Sequence, residues 1–160
     1  MRLASGVIRL PELQSAGVQV GLGLDGGTND TSDMFNDIRA AVGLQRARTL
    51  RPDVYPTVSD VLRMATADGA KLLDMFDRVG SLKSGKQADL IILNPETLNF
   101  IPRGDWISQI VFNGQPRNVE WVFVGGQVLK SNGKILGVNP ARVIEAAQTA
   151  AERVQRALEP

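Results

Sequence analysis

The sequence predicts an α/β protein, and three observations carry that prediction. An apolar run bounded by glycines, Val18 to Leu24 within "AGVQVGLGLDG", reads as a strand buried on both faces, the form taken in parallel sheets. The stretch from residue 32 to residue 73 carries apolar positions at helical spacing. From Gly80 the texture changes to short apolar runs punctuated by hairpin signals. The predicted order is therefore helix, strand, helices, a run of strands and a closing helix. Three regions follow: 1–79, 80–137 and a terminal helix over 138–160.

Pro11 suits a first helical turn and Gly17 a helix end, so a short helix precedes the strand that Val18 opens. In "TSDMFNDIRAAVGLQRA", Met34, Ile38, Ala41 and Gln45 form one row, widened by Phe35 and Val42. Thr31 or Ser32 can cap that helix, with Asp33 and Asp37 near its positive end. Arg39, Arg46 and Arg48 read as a solvated helix end. "RTLRPDVYP" is a polar loop bounded by proline. Thr57 and Asp60 have capping-box spacing ahead of Val58, Val61, Leu62 and Ala65, and Asp68 caps a further short helix. Ala88 to Leu93 is a strand closed by Asn94-Pro95, and "SQIVFNG", "NVEWVFVGGQVL" and "KILGV" are further strand candidates. Gly125-Gly126 and Asn132-Gly133 are hairpin turns. Val143, Ala147, Ala150, Ala151, Val154 and Leu158 mark an inward face on the last helix, with Pro140 in its first turn.

Composition narrows the chemistry. The 160 residues are 43% hydrophobic and 22% charged, enough apolar material for a core. The net charge of +1 and the lack of a basic block provide no electrostatic footprint for nucleic acid. No apolar run approaches the roughly 20 residues that span a bilayer, and no secretory leader opens the chain, so no membrane association is expected and the cytoplasm is the expected compartment. With no Cys there is no disulfide framework, thiolate nucleophile or thiolate metal site. With no His, a Ser-His-Asp triad and a His-ligated zinc are closed to these residues alone.

Gly21, Gly23 and Gly26 spell G-x-G-x-x-G, the dinucleotide fingerprint, but the context fails. The acid expected about twenty residues on is replaced by Gln45, Arg46 and Ala47, and Asp25 would put a negative charge where a pyrophosphate belongs. "DGGTND" lacks the alternation and terminal Glu of an EF-hand loop, and a calcium β-roll needs tandem copies. Asp25 is then either a strand-end residue making an Asx turn or a functional acid. Strand C-termini are where parallel α/β folds build sites, and Gly26-Gly27 leave room beside it. "GSLKSGKQAD" contains Gly-Lys but leads into a strand, so it reads as a turn and not a phosphate loop. Trp106, Phe112, Trp121 and Phe123 lack interleaved basic residues and read as core.

Several stretches together resemble the amidohydrolase superfamily, in its cytosine, guanine and S-adenosylhomocysteine deaminase and triazine hydrolase branch. They are "RLASG", "AGVQVGLGLDG", "SDMFNDIRAA", "VLRMATADGAKLL", "VGSLKSGKQADLIIL" and "VEWVFVGGQVLKSNGKIL", in the family's order and spacing. The resemblance implies a metal-bearing (β/α)₈ barrel beside a small β domain. Residues 1–79 would be the end of the barrel, 80–137 part of the β domain, and 138–160 the C-terminal helix. Val18 to Leu24 would be the eighth strand, and Asp25 the acid at its end that ligates or neighbours a zinc or iron ion and serves catalysis. The implied activity is aminohydrolysis of a purine, pyrimidine or triazine-like ring by metal-activated water.

Leu24 stands where many relatives carry Thr, and the loop from Asp25 to Asp33 is slightly short; both bear on substrate identity. The resemblance also implies that about six and a half of the barrel's eight strands, with the metal's histidines, lie on a missing N-terminal portion. It allows a homo-oligomer as well. A second expectation, of another class, is a catalytically silent fragment or interaction module; the 160 residues alone are expected to show no hydrolase activity and only weak zinc binding.

Overall fold

The computed structural model describes residues 4, 6–25 and 32–158. Six α-helices, two single-turn 3₁₀ helices and one four-stranded antiparallel sheet make up the regular structure among these residues. Helix α1 (Leu10–Ser15) begins with Pro11 in its first turn and ends where Gly17 takes a φ of 74°. Helix α2 (Met34–Thr49) is capped by Asp33, whose carboxylate accepts from the Phe35 N–H at 3.0 Å. Asp33, a helix neighbour in the sequence reading, thus takes the cap assigned to Thr31 or Ser32; Thr31 lies outside the described residues. Helix α3 (Val58–Met64) starts with the expected reciprocal capping box of Thr57 and Asp60. Helix α4 (Ala67–Leu72) does not use Asp68 as its cap. Asp68 sits inside the first turn, where Lys71 at 2.8 Å and Arg63 at 3.3 Å both donate to it.

The sequence expectation fails most clearly at "SQIVFNG", which is helix α5 (Trp106–Asn113) and not a strand. Asp105 caps it by accepting from the Ser108 N–H at 2.8 Å. Its fully buried Val111 joins Ile38, Val42 and Val61 in the main core, so α5 packs with α2 and α3. A short apolar run fits either period, and here the cap and the helical neighbours decide it. Gly114 closes α5 at a point where an added β-carbon would lie 2.8 Å from the Phe35 ring.

The sheet runs in the order β1 (Leu90–Leu93), β2 (Val119–Val124), β3 (Gln127–Ser131), β4 (Lys134–Ile135). Leu90 pairs with Phe123 and Ile92 with Trp121, with a bulge before Leu93. Both predicted hairpins form. Gly125-Gly126 and Asn132-Gly133 have positive φ at both central positions, as two-residue turns matched to strand twist require. A buried amide ties the start of β2 to the segment that follows β1. Asn118 donates to Thr97 Oγ1 at 2.8 Å, and its carbonyl oxygen accepts from Asn99 Nδ2 and the Gln115 N–H.

Helix α6 (Pro140–Leu158) opens on Pro140 as expected, with Asn139 accepting from the Ala141 N–H. Its apolar face does not turn inward: none of its residues is buried. Nor are the four aromatics core residues. Trp106 and Phe112, on α5, are exposed, and Trp121 and Phe123, on β2, are half-buried. Trp121 and Phe123 stack on each other with centroids 6.1 Å apart.

Candidate functional site

Residues 18–25 carry the one candidate acid that the sequence singles out, and the surrounding elements hold that segment at two points. The Val18 N–H donates to Leu13 O at the end of α1, and the Leu22 N–H donates to Met64 O at the end of α3, at 3.2 Å. Leu22 packs on the cluster of Ile38, Val42, Val61 and Val111. No strand ladder forms along 18–25 among the described residues, contrary to the strand expected there. A strand needs a paired neighbour to satisfy its backbone, and no described segment runs beside this one.

Two clefts flank the segment. One, of about 520 Å³, lies between Leu22, α3, α4 and β1 and is apolar apart from groups such as Thr66, Ser81 and Asp89. The Ser81 hydroxyl is buried there without a hydrogen-bond partner. The other, of about 290 Å³, separates residues 20–23 and the chain before α1 from α2.

Asp25 ends the segment exposed, with a φ of 54°, in the left-handed region that Asp tolerates better than most residues. The Asx turn considered for it would involve residues beyond 25 that lie outside the described set, as do Gly26 and Gly27. Among the described residues, no group of three His, Cys, Asp or Glu side chains gathers anywhere. A structural or catalytic zinc takes at least three protein ligands, and the chain has neither His nor Cys. One exposed carboxylate therefore does not fit a resident divalent metal by itself.

Of the basic residues of α2, Arg48 is exposed as expected, though paired, whereas Arg39 and Arg46 are partly buried. Arg39 donates from Nη1 to Gly114 O at 2.6 Å, Arg46 lies over the Phe112 ring at 5.4 Å, and Arg48 makes a two-pronged pair with Glu12 at 2.8 and 2.7 Å. That pair lowers the Glu12 pKa, chiefly through the Arg48 hydrogen bond. The sequence reading placed Gln45 on the buried row but missed its use: Nε2 donates to Ile8 O at 2.8 Å, tying the chain before α1 to α2. A polar residue on an otherwise apolar row is the signal that pointed to it. Lys86 of "SGKQAD" belongs to a turn, as expected. Its ammonium donates to the carbonyls of Phe76 and Val79 and sits 3.7 Å from the Phe76 ring centroid.

Comparison with known proteins puts these features in a family. The profile of the Amidohydrolase family matches residues 1–129. A 5-methylthioadenosine/S-adenosylhomocysteine deaminase of Syntrophomonas wolfei is 34% identical over 155 residues, covering 96% of this chain and 36% of the relative. A zinc-bound adenosine deaminase from Xanthomonas campestris superposes with a TM-score of 0.90 at 30% identity, over 96% of this chain and 35% of that one. A zinc-complexed atrazine chlorohydrolase from Arthrobacter aurescens gives a TM-score of 0.79 at 27% identity, over 90% and 32%. The chain thus spans about a third of the length of the curated relatives it matches. Among the described residues, no helix is long and apolar enough to cross a membrane.

Proposed function

Because the chain belongs to the amidohydrolase family, we propose that it is the C-terminal part of a metal-dependent aminohydrolase acting on a nitrogen heterocycle. Residues 18–24 are then the eighth strand of a (β/α)₈ barrel, 80–137 part of the small β domain, and 138–160 its appended helix. The substrate is a purine, pyrimidine or triazine-like ring; the relatives' names favour the 6-amino group of an adenosine-type nucleoside. A zinc or iron ion would supply the Lewis acid that activates water at neutral pH, held mainly by ligands outside these 160 residues.

Asp25 carries the reading: an exposed carboxylate at the end of an apolar segment that is pinned to the core at Leu22. Barrel enzymes draw their catalytic groups from such strand ends. In this role an Asp25 Oδ accepts the proton of the attacking water and returns it to the departing ammonia. An Asn there would keep the shape and lose the transfer. A second reading, a catalytically silent fragment or interaction module, is favoured by the donor set of one carboxylate.

The test is completion of the chain. Joined behind the N-terminal remainder of the Syntrophomonas deaminase, it releases ammonia from 5-methylthioadenosine. Alone, it releases none and binds zinc more weakly than micromolar. A folded, completed protein that releases no ammonia favours the silent reading. Micromolar zinc binding by the isolated chain, lost in Asp25→Asn, contradicts the assignment of the other ligands elsewhere.

A further inference from the structure

We propose that Gly21 is a positioning residue, whose missing side chain sets where Asp25 stands. A β-carbon built at Gly21 would lie 2.9 Å from Leu72 Cδ1, the free end of a 45% exposed side chain that can turn aside, but also 3.3 Å from Gly69 Cα and 3.7 Å from Met64 O, which are backbone. Gly69 in turn would carry a β-carbon 3.0 Å from Met64 O. Two bare backbones therefore meet where the Leu22 N–H reaches Met64 O, and the bond at 3.2 Å depends on that closeness. Leu22 is the last residue before Asp25 that packs on the core. Its anchorage sets the starting point of the three-residue reach to the carboxylate. Gly23 differs: a β-carbon there meets nothing within 4 Å. Of the two glycines in "GLG", packing within this chain demands only the first.

The catalytic consequence rests on the reading of Asp25 above; the geometry does not. The experiment uses the 160-residue chain and NMR. In Gly21→Ala, exchange of the Leu22 amide rises about tenfold, as expected for a local opening, and the Asp25 amide resonance shifts. Adding Leu72→Ala, which removes the movable neighbour and leaves the Gly69 backbone in place, restores neither. Gly23→Ala leaves both unchanged. If Gly21→Ala unfolds the chain, no recovery in the double variant with Leu72→Ala supports the proposal, and recovery, which would place the clash on the Leu72 side chain, overturns it. It is also overturned if Leu22 exchange stays at the wild-type rate, if Asp25 does not respond, or if Gly23→Ala matches Gly21→Ala. None of these readouts uses turnover, so an inactive completed enzyme would count against the Asp25 reading and leave this one standing.

Discussion

Helices α2 and α6 each carry an apolar row at helical spacing, much more sharply segregated in α6, yet they meet opposite fates. In α2 the row of Phe35, Ile38, Val42 and Gln45 is buried, met by Val61 of α3 and Val111 of α5. In α6 the row of Val143, Val154 and Leu158 stays exposed, with Val154 at 60%. Apolar periodicity specifies a face; it does not specify what covers the face. Residues 18–24 fall on the α6 side of this divide, since their pattern is a buried strand and only Leu22 is packed on the main cluster.

Substitutions sharpen the contrast, and the largest effect is expected in the core. Val61→Asp places an unpaired carboxylate at a fully buried position and should cost more than about 4 kcal/mol, abolishing the folding transition in a denaturant titration. Survival of a cooperative transition would show that the α2–α3–α5 cluster does not hold the fold together. Thr57→Ala breaks the capping box of α3 and should lower stability by about 1 kcal/mol in the same assay.

Acid titration should show a smaller effect. Hydrogen bonding from Lys71, and secondarily from Arg63, lowers the Asp68 pKa, and Arg48 does the same for Glu12. A carboxylate whose folded pKa is depressed adds stability above its unfolded value of about 4, and that stability is lost as pH falls through the folded value. Asp68→Asn should therefore flatten the stability curve below about pH 4 and reduce stability at neutral pH. An unchanged acid limb would show that Asp68 contributes nothing through its ion pairs. The smallest effect is expected on α6, where Val154→Asp should stay within about 0.5 kcal/mol. A larger loss would mean that the face is covered in solution.

What was legible in the sequence follows the same divide. The turns at Gly125-Gly126 and Asn132-Gly133 could be read because their φ values suit few other residues. The box of Thr57 and Asp60 could be read because capping is local. Helix α5 could not, since "SQIVFNG" is short and apolar and its helical state depends on distant α2 and α3. Arg39 and Arg46 were misread for the same reason: Gly114 O and Phe112 are far along the chain. At the candidate site the residue type of Asp25 and its place at the end of an apolar segment were legible; the strand expected there does not form. The anchor from Leu22 to Met64 O was not, because a backbone bond leaves no mark in side-chain identity.

Asp25, as proposed, moves a proton in a hydrolytic reaction. The most direct measurement is kcat for ammonia release by the completed enzyme with Asp25→Asn, beside its melting midpoint. With proton transfer lost, kcat should fall about 10²–10⁴-fold with the midpoint unchanged. A rate equal to that of the Asp25 protein would contradict it.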